Sequence, residues 1–218
     1  MKLLGFSGEF LPSKVLAVAK NYRAHAAEMG GTVPSEPKFF LKPPSSLLED
    51  GGTMILPTRS GKVEHEVELA VVIGRRCHRL SDEEEAWSAI LGYSVIVDVT
   101  ARDLQAEARR EGMPWTVAKG FDTFAPLGPC LTLAEELDPR CLAIWLTVND
   151  QLRQTGSTAD MVFSVPRLLI AISHVMTLEP MDVIATGTPE GVGPLEAGDQ
   201  VEAGIEGIGT LRFLVARE

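Results

Sequence analysis

Glu66 and Glu68 are two apart in EVELAVVI, a short run rich in β-branched and apolar side chains. That composition predicts a buried strand over residues 66–73. Side chains two apart on a strand share a face, about 6.6 Å apart along it. Two carboxylates can converge from there on one hard cation, with oxygens about 2.0–2.1 Å from a magnesium ion. Without a cation they repel and lose hydration, so one stays protonated. Val67, Leu69, Val71 and Ile73 form the opposite, apolar face, and Ala70 and Val72 continue the Glu face. The plain alternative is a half-exposed strand with both acids in solvent. Asp98 lies in VIVDV, within a second predicted strand over residues 93–99. A carboxylate there must be paired, capped or ligating. As a third oxygen donor it completes a facial set that suits Mg²⁺ or Mn²⁺ over Zn²⁺. A salt bridge to Arg102 accounts for Asp98 equally well.

His25 and Glu28 are three apart in NYRAHAAEM and share a face if this is a short helix. A carboxylate beside an imidazole fixes its tautomer and raises its basicity, which makes a water-activating base; a surface ion pair is the alternative. Lys119, in VAKGFDTFAPLGP, can hold a substrate carboxylate or a developing oxyanion, or can simply snorkel to the surface. TGTPEGVG, residues 186–193, follows a predicted strand. Its glycines allow close approach of a ligand and its hydroxyls can bind a carboxylate, but a simple turn has the same composition. Its spacing is not that of a dinucleotide fingerprint. His65, His78, His174 and the run Glu83-Glu84-Glu85 read as structural. No nucleophile elbow, Cys/His pair or Walker loop is present.

The elements that must position these groups are mostly strands. Further strands are predicted over residues 143–149, 182–186, 199–205 and 210–215. One helix is predicted from Ser81, with Glu84 at the capping-box position and Trp87, Ile90 and Leu91 on one face; another covers residues 165–176. Strands and helices do not alternate strictly, so an α+β, mostly β architecture is expected over a doubly wound sheet. The 218 residues contain no repeat or polar linker and read as one domain, 1–218. Residues 21–42 carry Gly30-Gly31, Pro34 and Pro37, ahead of Pro43-Pro44, and read as a loop-rich arm that can act as an active-site lid. Thirty acidic against twenty basic residues, a formal charge of −10, disfavours a nucleic-acid partner or an anionic membrane surface. No apolar stretch approaches the roughly 20 residues of a spanning helix. The apolar run in MKLLGFSGEFLPSK is too short for a secretory signal. Cys77, Cys130 and Cys141, an odd and scattered set, fit a reducing, cytoplasmic location.

Seven stretches in order resemble the fumarylacetoacetate hydrolase superfamily, in its short acylpyruvase-like branch. They are KNYRAHAAEM, KFFLKPPSS, VEHEVELAVVIG, LGYSVIVDVTARDLQ, PWTVAKGFDTFAPLGP, VNDQLRQ with STADMVF, and VIATGTPEGVGPLEAGDQV. The resemblance implies a mixed β-sandwich roll, a homodimer and a bound Mg²⁺ or Mn²⁺ held by Glu66, Glu68 and Asp98. It implies that His25 and Glu28 form a water-activating lid dyad. Lys119 and Gln105 would bind or polarise substrate, with Arg102 in the same motif and Thr188 in a carboxylate-binding segment. The activity implied is hydrolysis of a C–C bond in an acylpyruvate-like β-diketo acid, of acetylpyruvate or fumarylpyruvate type. Oxaloacetate decarboxylation, isomerisation of a 2-hydroxyhepta-2,4-diene-1,7-dioate-type acid in aromatic degradation, and a non-catalytic ligand-binding role are the alternatives. Three turn positions depart from the family pattern: Ala19 before Lys20, Asn149-Asp150 for Asn-Gly, and Met181 for Gly. Asp150 tolerates a left-handed turn, whereas Met181 is expected to resist one.

Overall fold

The computed structural model describes residues 10–218. Residues 1–9, and with them most of the stretch read as too short for a secretory signal, lie outside the described residues. Two mixed sheets dominate. One runs, edge to edge, Thr132–Leu133, Ile90–Val97, Val67–Ile73, Val183–Ala185, Val15–Ala19 and Lys38–Lys42. Only its Val15–Ala19 and Val183–Ala185 strands pair in parallel. The other runs Gln151–Ser157, Ala143–Val148, Gln200–Ile205, Gly209–Arg217 and Thr53–Leu56, with the last pair parallel. Val67, Leu69, Val71 and Ile73 meet Ile144, Leu146, Val201, Leu211 and Phe213 in a shared core between the sheets. On the opposite face Val15, Ala17, Ala70, Val72 and Ile96 form a second cluster with Ala125, Leu127 and Leu131. Both faces of the Val67–Ile73 strand are therefore buried, which is why it reads as a nearly continuous apolar run.

The α+β, mostly β architecture is as expected, with shifts at particular elements. The helix expected from Ser81 is Glu83–Ser88, capped by Asp82, whose side chain accepts from the Glu85 N–H at 2.9 Å. The carboxylate of Glu85, not Glu84, reaches back to the Ser81 N–H. Ile90 and Leu91 belong to the following strand, because Gly74 pairs with Ala89 and the sheet captures the chain there. The helix expected over 165–176 spans Val165–Ser173. Two helices, Arg102–Glu111 and Thr116–Lys119, carry no apolar stripe and were not expected. The arm is less loop-like than its Gly and Pro content implies. It holds a helix, Arg23–Glu28, and ends in the edge strand Lys38–Lys42, which leaves only residues 29–37 irregular.

Asn149 and Asp150, at φ 52° and 60°, form a two-residue hairpin turn between strands that pair through Val148 and Gln151. Met181 does adopt a left-handed φ, 72°, against expectation. Its N–H donates to Ile73 O at 2.8 Å and its side chain packs on the second cluster. These contacts offset a cost of about 1–2 kcal/mol for a residue with a Cβ. The three cysteines are free, and no helix among the described residues is long and apolar enough to cross a membrane.

Candidate active site

Val67 and Val97 are antiparallel partners, so the residues just before one and just after the other face each other. Those residues are Glu66 and Asp98, and the Asp98 N–H donates to Glu66 O at 2.8 Å. Asp98 thus lies one residue beyond its strand, not inside it as expected. Glu68, two residues on from Glu66, shares its face. The carboxylates of Glu66, Glu68 and Asp98 lie within 4.8 Å of one another and all are buried.

Four carboxylates meet three cations here. Lys119 Nζ bonds Glu66 Oε2 at 2.9 Å and Asp98 Oδ2 at 2.5 Å. Lys42 Nζ bonds Asp98 Oδ1 at 2.6 Å and Val99 O at 3.0 Å. Arg102 bonds Glu64 through Nε, Glu66 through Nη2 and Gln105 through Nη1. The salt bridge weighed for Asp98, to Arg102, does not form: Asp98 takes the two lysines and Arg102 takes the two glutamates. Among the described residues Glu68 forms no ion pair and accepts one hydrogen bond, from the Gly187 N–H at 2.6 Å.

The charge states follow from this distribution. Burial opposes ionisation of Glu66, but Lys119 and Arg102 outweigh it and hold the acid well below the usual carboxylate range. Burial, with Asp98 and Glu66 alongside, pushes Glu68 well above that range. Lys119 is lowered by burial and raised further by Asp98 and Glu66, so it stays protonated. A hard divalent ion fits this set. All the donors are buried oxygens, and Glu68 forms no ion pair with any described cation.

Helix Arg23–Glu28 brings the dyad to the same place. His25 Nδ1 is 3.3 Å from Glu28 Oε2, and Glu28 Oε1 accepts from the Gly191 N–H at 3.0 Å. A carboxylate only accepts, so in the neutral imidazole Nδ1 carries the proton and Nε2 the lone pair. His25, Lys119, Arg102, Gln105 and Thr188 line one cavity with the triad, about 20 Å³ in free volume. Arg102 fixes Gln105 Oε1, which leaves the amide NH₂ to donate into that cavity. Thr188 spends its single hydroxyl proton on Val67 O at 2.8 Å and accepts from Gln154 Nε2 at 2.8 Å. In this geometry Thr188 ties the TGTP loop to the Glu66–Glu68 segment instead of offering its hydroxyl proton to a carboxylate. His65, read as structural, is fully buried and bonds Gln154 Oε1 at 2.9 Å.

Sequence reasoning missed Lys42, Glu64, Gln154, Arg109 and Lys20. Lys42 had a signal: Lys38, Phe40 and Lys42 alternate on one face of a strand, and a lysine at its end beside two prolines has little room to leave. Glu64 and Gln154 had none: the contacts that draw them into the site come from 38 and 34 or more residues away, and the near partner of Glu64, Lys62, is an ordinary surface lysine.

Buried carboxylates at the ends of two adjacent strands, faced by a His–Glu pair on a short arm, define a site suited to acid–base chemistry, with an oxygen set of the kind that can hold a metal ion. The family model described as fumarylacetoacetate (FAA) hydrolase C-terminal matches residues 14–216, and the chain belongs to that family. It is 50% identical over 205 residues to "Oxaloacetate tautomerase FAHD1, mitochondrial" of Arabidopsis thaliana, covering 94% of this chain and 92% of that one. The fumarylpyruvate hydrolase of Pseudomonas aeruginosa, solved with Mn²⁺ and pyruvate, superposes with a TM-score of 0.92 at 36% identity, covering 100% and 95% of the two chains. The 5-carboxymethyl-2-hydroxymuconate delta-isomerase of Mycobacterium smegmatis superposes with a TM-score of 0.87 at 46% identity, covering 100% and 82%. The named relatives are thus enzymes of the hydrolase, isomerase and tautomerase kinds.

Proposed function

We propose that this chain is a Mg²⁺- or Mn²⁺-dependent enzyme, working as a homodimer, that moves a proton at the carbon beside the keto group of a short 2-keto acid, in the manner of an oxaloacetate tautomerase. The observation that carries this reading is the His25–Glu28 dyad opening onto the same cavity as Glu66, Glu68 and Asp98. Bound by those three carboxylates, the ion supplies positive charge next to the keto acid group and favours loss of the neighbouring proton. His25 Nε2 takes that proton, Glu28 stabilises the imidazolium that results, and the imidazolium returns the proton to the keto oxygen to give the enol, the reverse sequence converting enol to keto. Lys119 and the Gln105 amide stabilise negative charge developing on the keto oxygen. Closure of the arm over the cavity excludes bulk water.

Hydrolysis of an acylpyruvate C–C bond is the second reading. It uses the same dyad to take a proton from water, and likeness to the fumarylpyruvate hydrolase favours it. The 50% identity to an oxaloacetate tautomerase puts proton transfer first.

One panel separates them. With Mn²⁺, proton transfer predicts faster decay of the oxaloacetate enol absorbance without release of pyruvate. Decarboxylation predicts pyruvate from oxaloacetate, and hydrolysis predicts pyruvate from acetylpyruvate or fumarylpyruvate. Glu68→Gln should abolish whichever activity is found. Binding of Mn²⁺ with no turnover across the panel would make this a ligand-binding homologue and end the enzymatic reading.

A further inference from the structure

Arg102, Gln105 and Arg109 lie at i, i+3 and i+7 on helix Arg102–Glu111, along one face. At about 1.5 Å per residue they span about 10 Å. Arg102 touches the carboxylate cluster at the bottom, Gln105 sits one turn up, and Arg109 lines the outer part of the same cavity. Arg110, the next residue, pairs with Glu107 and Glu111 in solvent. Arg109 pairs with no carboxylate among the described residues. It stacks on the Trp115 ring, 5.0 Å from its centroid, and Trp115 in turn meets Phe40 edge to face at 5.3 Å. Burial and the nearby Arg102 both disfavour its charge, with Glu66 a weaker support.

A second cation, Lys20, lines the same cavity. It makes no ion pair among the described residues and has its ammonium against Gly31 of the arm. Its φ of 57° costs about 1 kcal/mol in a residue with a Cβ. In a chain of net charge −10, two cations without carboxylate partners at one pocket mouth are an uncompensated excess. The cavity is therefore polarised: acids at the inner end, free cations at the outer.

We propose that Arg109, with Lys20 in the same cavity, forms a subsite for a second carboxylate at the far end of the substrate, so that the enzyme selects 2-keto dicarboxylic acids over 2-keto monocarboxylic acids. This rests on the reading above that the inner end takes a 2-keto acid. Arg109 lies over the Trp115 ring, 5.0 Å from its centroid, with no carboxylate partner among the described residues, and a guanidinium fork matches a carboxylate in two-point hydrogen bonding.

The test uses two ligands that differ only at the far end, 2-oxoglutarate and 2-oxovalerate, titrated calorimetrically into the Mn²⁺-loaded protein. A charge-assisted contact predicts at least about tenfold tighter binding of 2-oxoglutarate to the wild type. Arg109→Gln should reduce that ratio to near one while leaving 2-oxovalerate binding unchanged, which also reports an intact fold. Arg109→Lys should restore part of the preference. No preference in the wild type, no binding of 2-oxoglutarate up to about 10 mM, or a preference that survives in Arg109→Gln would each overturn the proposal. The readout is binding, so it stands apart from the turnover panel: a dicarboxylate preference without turnover refutes the enzymatic reading alone.

Discussion

Asp98 is buried at the meeting point of two lysines, and most of its charge balance comes from them. Lys42 is fully buried and its charge is disfavoured by that burial, partly offset by Asp98. Removing one member of such a pair strands the other. Lys42→Ala should therefore cost about 3–5 kcal/mol of stability, measured by urea denaturation in EDTA. A cost under about 1 kcal/mol would mean that Lys119 alone suffices for Asp98. At this scale the sequence was informative about identity and poor about pairing. Glu66, Glu68, Asp98, His25 and Lys119 stand out because ionisable groups in apolar or glycine-rich runs are expensive. Their partners do not stand out, because 42 with 98 and 64 with 102 are joined only by the fold.

Helix Arg102–Glu111 shows why an element can be hidden while its residues are visible. A helix against a protein body ordinarily announces itself by an apolar stripe. The inward face here is Arg102 and Gln105, since the surface it packs against is the acidic site. Its start is fixed instead by Asp103, which accepts from Ser60 Oγ at 2.6 Å, Gly61 N at 2.8 Å and Leu104 N at 2.9 Å. Burial raises the Asp103 carboxyl, but these hydrogen bonds together prevail and hold it below its ordinary value. A depressed acid contributes stability that is complete above its unfolded value, about 3.9, and is lost as pH falls through the folded one. Asp103 is exposed to solvent, which screens these bonds, so Asp103→Ala should cost about 1 kcal/mol at neutral pH. The gap to wild type should narrow as pH falls below about 4. Urea melts of both proteins along a pH series measure it, and a gap that widens on acidification contradicts the assignment. The strands were easier to read, because β-branched runs closed by turn residues need no knowledge of what they pack against.

At the scale of the whole molecule, two packed sheets form a fixed floor and the arm forms a roof tied at both ends. Its root is Asn21, fully buried, which donates to Phe163 O at 3.0 Å and Thr186 O at 2.8 Å and accepts from the Phe163 N–H at 2.8 Å. Its far end is the Lys38–Lys42 strand, in register with Val15–Ala19. Between them the ties are few. Glu28 holds Gly191, His25 and Ala26 are buried, and residues 32–37 make no hydrogen bond to any described residue. The composition of residues 21–42 reads as loop through to Pro43-Pro44, whereas Lys38–Lys42 is a paired strand and Lys42 bonds Asp98 in the floor. A segment with few buried contacts and few backbone bonds opens at low cost. Amide hydrogen exchange should therefore be fast across residues 23–37 and slow across 15–19 and 38–42. Mn²⁺ with pyruvate should slow exchange in 23–31, where His25 and Glu28 sit, more than anywhere in the sheets. Uniform protection of the arm without ligand would show that it is part of the floor, and substrate would then need another way in.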